Sequence, residues 1–325
     1  MQKSLQAWNL VYKSLRETTP VMLLYVLEST GSSPGRQGFF MAVNAKGEMK
    51  GSIGGGIMEH KFVEMAKERL QANSYEQRAG TLKKQIHDKT VQENQSGMIC
   101  SGEQTILLYP VQPEDLTAIQ NIISSVEQHK NGTLLLSPEG IRFTTNIPAV
   151  DIEFSYQSET DWLYKEKTGY KNHLYIIGGG HCALAFSKLM RGMDFYITLY
   201  EERDGLNTVA QNEYAHDVII VEDYTALGFH IASGRNQYVV IMTFGYRTDD
   251  IALRSLLDKT FTYIGVLGSK KKIEKIFTDY RADGITESVL QRIHAPIGLA
   301  IKSQTPEEIA VSIAAEIIAI KNQSI

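Results

Sequence analysis

The chain has 325 residues, of which 43% are hydrophobic and 22% charged, as is ordinary for a soluble globular protein. This length is roughly twice the ~150 residues of a typical domain, so we expect two domains, each large enough for its own core. The formal net charge of −4 and the pI near 6.1 give no basic surplus, which argues against a nucleic acid or an anionic membrane as partner.

The N-terminus and the two cysteines exclude further classes of protein. No apolar run approaches the ~18 residues of a membrane span, and residues 1–17 form an amphipathic pattern without the apolar core of a signal peptide, so we expect a cytoplasmic protein. The two cysteines, Cys100 and Cys182, form no CxxC pair, which excludes a disulfide framework and a zinc site of cysteines. An iron–sulfur cluster usually takes ~four cysteine ligands and is excluded within one chain.

The first half of the chain predicts an α+β domain. Its periodicity indicates helices at residues 1–17, 58–70 and 115–129, and strands at 21–27, 39–43, 48–51, 105–111, 133–137, 141–145 and 151–156. Residues 28–38 are too rich in Gly, Ser and Pro for a regular element, and the length of this loop suggests a function. A charged stretch at 164–172 without periodicity predicts a linker, which places the domains at residues 1–165 and 172–325.

A glycine-rich turn in this first domain is a candidate anion site. Gly51–Gly56 follows a hairpin and opens a helix, and backbone N–H groups in such a turn form a nest suited to one phosphate or oxyanion. The candidate residues are Ser52, Gly54, Gly55 and Gly56. The alternative is a turn that only needs glycine dihedrals.

Cys100 is a second candidate in this domain. It lies between Gly97 and Gly102, just before a strand, and we expect it near a surface or cleft. A lone cysteine is either a small core residue or a reactive thiol, and reactivity requires a lowered pKa that sequence does not show.

The stretch at residues 174–202 predicts a dinucleotide-binding βαβ unit. An apolar strand ends in Gly178-x-Gly180-x-x-Ala183, where the glycines permit a tight turn and close approach of a pyrophosphate, and the small third residue lets helix and strand pack. Glu201 follows Gly178 by 23 residues at the end of the next strand, where a carboxylate would hold a ribose hydroxyl. The alternative is a Rossmann-like turn that binds no nucleotide.

The rest of the second domain predicts a doubly wound parallel sheet. Strands at residues 217–222, 237–244 and 263–267 alternate with helices at 249–258 and 270–280. Gly268-Ser269-Lys270 opens another helix, whose lysines either add charge for a phosphate or form a solvated face. His294 lies in a loop and is either structural or functional. The fold class is therefore α/β, a C-terminal Rossmann-like parallel sheet domain plus an N-terminal α+β domain.

Taken in order, these stretches resemble the XdhC/CoxI family, accessory proteins for molybdenum hydroxylases such as xanthine dehydrogenase. The N-terminal motifs are GSSPGR at 31–36, GSIGGGIME at 51–59 and GMICSGE at 97–103, and the C-terminal ones are IGGGHCA at 177–183, EER at 201–203, TFG at 243–245 with Asp249, GVLGSK at 265–270 and RIHAPIGL at 292–299. The chain departs from the family at Ser101, which replaces a glycine, and at Phe244 and Tyr246, where the family often has Arg or His. Glu201 and Glu202 replace the usual aspartates.

The resemblance implies a protein that binds molybdenum cofactor (molybdopterin) and supports its sulfuration and insertion into the xanthine dehydrogenase apoenzyme, in purine catabolism. A cysteine desulfurase is a further expected partner, and we expect a homodimer. The residues assigned to cofactor binding are Arg36, Ser52, Gly54, Gly55, Gly56, Cys100, Gly178, Gly180, Ala183, Glu201, Gly268, Ser269 and His294. Cys100 is also the expected metal ligand, because a thiolate suits a soft molybdenum centre.

Two alternatives stay open. The chain is one of the subunits of xanthine dehydrogenase, or it is an NAD(P)-dependent oxidoreductase that uses the Rossmann turn. For the oxidoreductase the sequence offers no convincing general acid or base beyond His181 and His294. The cofactor either carries a nucleotide or does not, and the two glycine-rich turns serve either one ligand or two.

Overall fold

A computed structural model of the chain describes residues 2–71, 80–86 and 102–323. The chain divides into two compact units, Met1–Gly169 (unit 1) and Tyr170–Ile325 (unit 2). In the part of the chain that is described, no helix is long and apolar enough to cross a membrane.

The described residues of unit 1 form two antiparallel sheets and three α-helices. The helices are α1 (Gln2–Arg16), α2 (Gly56–Gln71) and α3 (Leu116–Glu127). The strands are β1 (Val21–Gly31), β2 (Phe40–Asn44), β3 (Met49–Gly51), β4 (Thr81–Ile86), β5 (Gly102–Pro110), β6 (Gly132–Ser137), β7 (Gly140–Thr144), β8 (Ile152–Ser158) and β9 (Asp161–Thr168). One sheet has the order β3-β2-β1-β5-β4 and the other the order β7-β6-β9-β8.

Strand β1 is buried on both faces. Leu23, Tyr25 and Leu27 point into a core shared with α1, α3 and the second sheet. The alternate residues, such as Met22 and Leu24, pack against α2 in a separate core. This two-sided burial explains why the strand is a continuous apolar run rather than an alternating one.

Two sequence predictions in unit 1 are wrong. The loop predicted from residue 28 begins later, because β1 continues past an irregularity at Val26/Glu28 and pairs as far as Gly31 with Gly102. The predicted linker at 164–172 is largely strand β9, which lies inside the second sheet between β6 and β8. Its charge hid its periodicity, since the inward-facing Glu166 is held by the hydroxyls of Tyr25 and Tyr164 at 2.6 and 2.8 Å.

Unit 2 alternates strands and helices. Its strands are β10 (Asn172–Ile177), β11 (Phe195–Glu201), β12 (Asp217–Ile220), β13 (Gly234–Ile241), β14 (Phe261–Val266) and β15 (Ile293–His294). Its helices are α4 (His181–Arg191), α5 (Asn207–Ala210), α6 (Leu227–His230), α7 (Tyr246–Arg254), α8 (Lys270–Ala282), α9 (Glu287–Leu290) and α10 (Pro306–Gln323).

The six strands of unit 2 form one parallel sheet in the order β12-β11-β10-β13-β14-β15. The chain starts in the centre at β10, runs outward through β11 and β12, and returns to the other side of β10 at β13. This is the doubly wound order of Rossmann domains, and it confirms the predicted fold class. Cores cover both faces, with Ile177 in one and Ile176 in the other.

Candidate functional site

The turn after β10 lies where the strand order reverses, which is where ligands bind in open parallel sheets. Gly178 has φ +105°, and a Cβ there would lie 2.6 Å from the carbonyl oxygen of Met242. Gly178 is therefore required for the close contact between the ends of β10 and β13.

Gly180 is different, because nothing lies within 4 Å of where its Cβ would be. It precedes α4 as the N-cap, and as a glycine it supplies no side chain to accept a hydrogen bond from the first N–H groups of the helix. The space beside this helix N-terminus is open, as the prediction of an anion cradle requires. Ala183 is fully buried in the core, so its contribution is the close packing of helix on strand rather than contact with a ligand.

Glu201 does not present its carboxylate to this open space. The side chain is fully buried, and its Oε2 accepts the Gly179 N–H at 2.6 Å and the Arg203 Nη2 at 2.9 Å. Its Oε1 accepts the backbone N–H groups of Glu202 and Arg203 at 3.0 Å, the Arg203 Nε at 2.9 Å and the Tyr224 hydroxyl at 3.3 Å.

These donors fill the roughly four lone-pair positions of a carboxylate, so the geometry contradicts the predicted ribose contact by Glu201. Burial on its own raises the pKa of Glu201, but the hydrogen bonds from Arg203 and Gly179 outweigh it and lower the pKa to about 2. Glu201 is an ionised structural anchor that orders the turn.

Arg203 and Phe244 are two residues to which sequence reasoning gave no role. The Arg203 guanidinium lies over the Phe244 ring, 4.8 Å from its centroid. The side chain of Arg203 is 35% exposed and Phe244 is 66% exposed. The sequence shows an arginine two positions after Glu201. The direction of its side chain, however, depends on Phe244, which follows a different strand, β13.

A buried ion pair fixes the loops after β13 and β14. Asp249 is fully buried and accepts the Thr243 N–H at 3.0 Å, the Thr243 hydroxyl at 2.6 Å and a hydrogen bond from Lys272 Nζ. Lys272 also donates to the Leu267 carbonyl at 2.9 Å. Burial raises the pKa of Asp249 despite these contacts.

The predicted site residues Gly268 and Ser269 serve this arrangement. A Cβ at Gly268 would lie 2.8 Å from Cδ of Lys272, and the Ser269 hydroxyl caps α8 by accepting the Lys272 N–H at 3.3 Å. Lys272 is thus internal, whereas Lys270 and Lys271 are exposed. The lysine run therefore consists of two solvated cations and one structural cation.

His294 lies on the edge strand β15, and β13 and β14 separate that strand from β10. Its ring stacks on Tyr263 with centroids 4.6 Å apart, and its Nδ1 lies 3.8 Å from Oε1 of Glu316. Glu316 also accepts the Tyr263 hydroxyl and, at 2.9 Å, the Gly298 N–H. His294 is therefore part of a local hydrogen-bonded cluster separate from the glycine turn.

The predicted anion nest of unit 1 is filled by the chain itself. Oε2 of Glu59 accepts the Ser52 hydroxyl at 2.6 Å, the Ile53 N–H at 2.9 Å and the Gly55 N–H at 3.1 Å. The N–H of Gly54 donates to the Ser52 hydroxyl at 3.1 Å. The turn does bind an oxyanion, as its glycines predicted, but that oxyanion is a carboxylate in the first turn of α2.

Gly102 and two glycine-rich stretches of unit 1, residues 31–36 and 51–56, nevertheless lie close together. A Cβ at Gly54 would lie 2.4 Å from the Gly35 nitrogen, and Gln104 Nε2 donates to the Gly35 carbonyl at 2.7 Å. A Cβ at Gly102 would lie 2.8 Å from the carbonyl carbon of Ser32.

The remaining predicted residues of unit 1 divide into two cases. Arg36 is exposed and donates to the Gly31 carbonyl at 3.1 Å. Cys100 lies outside the described residues, two positions before Gly102 in the sequence. Among the residues that are described, no group of three or more His, Cys, Asp or Glu side chains is placed to hold a metal ion.

Two family models match the chain. The XdhC Rossmann domain matches residues 174–317, and the XdhC and CoxI family matches residues 14–83. The chain belongs to the XdhC and CoxI family. The Rossmann match covers the turn, Glu201, Arg203 and Phe244, so these residues lie within the XdhC Rossmann domain.

Relatives of this XdhC/CoxI chain include the uncharacterized protein YqeB of Escherichia coli, 24% identical over 95% of the chain and 45% of that protein. Another is a probable xanthine dehydrogenase subunit of Bacillus subtilis, 33% identical over 24% of the chain and 22% of that protein. The chain thus spans about half the length or less of these relatives. The crystal structure of a xanthine dehydrogenase from Bacillus halodurans superposes with a TM-score of 0.69 at 21% identity, covering 98% of the chain and 96% of that structure, and shows the same fold.

Proposed function

We propose that the chain is a xanthine dehydrogenase accessory protein that binds molybdenum cofactor and supports its sulfuration and insertion into the apoenzyme. The observation that carries the proposal is the open cradle beside Gly180 at the switch point of an XdhC Rossmann domain. The names of the relatives from B. subtilis and B. halodurans support the association with xanthine dehydrogenase.

The residues of unit 2 fit the anionic part of such a cofactor. A Cβ at Gly180 would enter free space, so a phosphate can approach the backbone there and accept N–H groups at the start of α4. Held there, the cofactor would supply the molybdenum chemistry of the client enzyme. The protein itself orients it and keeps the turn rigid through Glu201.

Cys100 is the residue of unit 1 that we propose for the metal. Its thiolate would be a soft ligand, and Cys100 precedes Gly102 by two positions in the sequence. Sulfuration requires a sulfur donor, for which a cysteine desulfurase is the proposed partner.

The second candidate is a nicotinamide-dependent oxidoreductase, which the Rossmann sheet order favours. Among the described residues, however, the titratable side chains near the turn include the exposed His181 and the Glu201–Arg203 pair. All hydrogen-bond positions of the Glu201 carboxylate are occupied by donors of the chain itself, so it does not serve as a general base. A role as the electron-transfer component of the dehydrogenase conflicts with the two cysteines of the chain, since a cluster takes ~four.

The test is purification of the full chain from cells that make molybdenum cofactor, followed by metal analysis and fluorescence of the oxidised pterin. We expect stoichiometric molybdenum and pterin with the wild type, and loss of both with Gly180→Val, whose thermal unfolding should stay near wild type. Nicotinamide reduction without bound pterin would instead support the oxidoreductase.

A second pair of variants tests the metal ligand. Cys100→Ser should lose molybdenum and fail to support xanthine dehydrogenase activity in a reconstitution assay, while its free energy of unfolding changes by less than about 1 kcal/mol. Cys182→Ser is the control, because burial raises the pKa of the Cys182 thiol and so disfavours its thiolate. Equal molybdenum content in Cys100→Ser and wild type would contradict the assignment.

A further inference from the structure

The Arg203 side chain is held in one orientation by the chain, but only some of its N–H donors make hydrogen bonds. Its Nε and Nη2 bind Glu201 at 2.9 Å each, and its face rests on Phe244. A guanidinium has five N–H donors in a planar fork. Within the described residues, the Nη1 edge of Arg203 has no hydrogen-bond partner, and the side chain is partly exposed.

This pair lies beside the glycine turn. On one side, Glu201 connects Arg203 to the turn through the Gly179 N–H at 2.6 Å. On the other side, Phe244 follows Thr243, whose Cα would lie 2.8 Å from a Cβ at Gly178. Strands β11 and β13 flank β10, so Arg203 and Phe244 join the two neighbouring strand ends across the end of β10.

The ligand chemistry follows from what the end of β11 offers. In dinucleotide-binding folds a free carboxylate at this place binds the ribose hydroxyl, whereas an arginine nearby accommodates a 2′-phosphate. Here the carboxylate of Glu201 is occupied by hydrogen bonds from the chain itself, and the Nη1 group of Arg203 is available to a ligand. Phosphate oxygens match that fork, and the exposed Phe244 ring offers a flat apolar face for stacking.

We propose that Arg203 and Phe244 form a subsite for a phosphomonoester carried by a heteroaromatic ligand. The inference rests on the proposed function, in which the turn at Gly178–Gly180 binds a phosphorylated cofactor. Two sources share this chemistry, the 2′-phosphate of an adenine nucleotide and the terminal phosphate of a pterin cofactor, which in the second case Arg203 and the turn would bind together.

Glu202 is the group nearest in sequence that would oppose a phosphate. Burial and the neighbouring charge of Glu201 raise the pKa of Glu202. If Glu202 instead bound a ribose diol, a ligand without the 2′-phosphate would be preferred.

The experiment is calorimetric titration of the purified full chain with NADP⁺, NAD⁺, 2′,5′-ADP and 5′-ADP, together with the retained molybdenum and pterin. We expect either at least tenfold tighter binding of the 2′-phosphorylated probes or retained pterin. Arg203→Lys should lower the affinity for these probes, or the amount of retained pterin, at least tenfold. Lysine keeps a cation for Glu201 but loses the planar fork of N–H donors. Phe244→Leu should weaken the same ligand less.

Arg254→Lys is a matched control. Arg254 also binds carboxylates, Asp250 and Asp283, and also lies over an aromatic ring, Tyr280, at 4.4 Å, but it does so at the end of α7. It should leave binding unchanged, and circular dichroism should show both arginine variants folded.

The outcomes separate the two sources and the two proposals. Binding of NADP⁺ identifies the nucleotide phosphate, and retention of pterin that depends on Arg203 without NADP⁺ binding identifies the pterin phosphate. Retention of pterin that Arg203→Lys leaves unchanged overturns the subsite and leaves the accessory function standing. NADP⁺ binding that depends on Arg203, without pterin or molybdenum, supports the subsite and contradicts the accessory function. NAD⁺ binding as tight as NADP⁺, or no binding of any probe or cofactor, overturns the subsite.

Discussion

The two glycine-rich turns of this protein, at residues 51–56 and 178–180, have similar sequences but different availability. In unit 1, the first turn of α2 carries Glu59, which reaches back and occupies the N–H groups of the turn. In unit 2, the first turn of α4 carries no acidic residue, and the space beside Gly180 stays open. A glycine pattern therefore predicts where N–H groups gather, and the side chains of the following helix decide whether a ligand can reach them.

The largest expected effect distinguishes the glycines of the open turn. Gly178→Ala should lower the free energy of unfolding by more than about 3 kcal/mol, because it combines a positive φ with a backbone clash. Gly180→Ala should change it by less than about 1 kcal/mol, since the added methyl meets no atom. Urea unfolding of both variants checks this, and equal losses would mean that both glycines are structural.

The next effect concerns the acid of the open turn. The Glu201 pKa of about 2 lies below the unfolded value near 4.5, so its stabilisation is present above pH 4.5 and is lost as the pH falls toward 2. The shift corresponds to about 3 kcal/mol. Glu201→Gln should be less stable at pH 7 and should show a flatter dependence of unfolding free energy on pH between 4.5 and 2. Identical slopes in that window would remove Glu201 as the anchor.

A third change should make the closed turn resemble the open one. Glu59→Ala removes the internal carboxylate and should cost about 1 to 2 kcal/mol, as the loss of a helix cap does. It should also let inorganic phosphate raise the melting temperature, which it should not do through this turn in the wild type. Glu64→Ala on the same helix is the control, because Glu64 pairs with Lys67 at the surface and does not contribute to the turn at residues 51–56. No gain in phosphate response would mean that the nest closes without Glu59.

The smallest effect concerns the hydroxyl that supports Glu59. Ser52→Ala removes the 2.6 Å donor to its carboxylate and should lower the free energy of unfolding by about 0.5 to 1 kcal/mol. The backbone donors remain, so inorganic phosphate should raise the melting temperature of Ser52→Ala no more than it does that of the wild type. A loss as large as that of Glu59→Ala would place most of the cap in the hydroxyl.

The sequence was sufficient for the sheet of unit 2 because its information is local. A strand, a glycine turn and a helix follow one another within residues 174–191, and repetition of this unit dictates a parallel sheet. Strand β9 was missed because its inward acid, Glu166, is balanced by Tyr25, more than a hundred residues away in the chain. Long-range partners of this kind leave no periodic trace.

The sequence predicted where the site lies but not which groups of the site are available to a ligand. Gly178 and Gly180 marked the turn, yet the direction of the Glu201 carboxylate depends on Arg203, Tyr224 and the Gly179 N–H together. Glu201 is at the position where dinucleotide-binding folds have a carboxylate that binds ribose. Its hydrogen bonds to neighbouring groups leave the carboxylate unavailable to a ligand. Glu59 could have been recognised, since an acid in the first turn of a helix commonly satisfies the N–H groups that precede it.

The buried Asp249–Lys272 pair has an evolutionary consequence. Removing either partner would leave an uncompensated charge inside the protein, which typically costs 3 to 5 kcal/mol, whereas replacing both by apolar residues can be nearly neutral. Drift at these two positions should therefore be coupled among relatives. Gly268 should follow Lys272, because the lysine methylene chain occupies the space that a side chain at residue 268 would need.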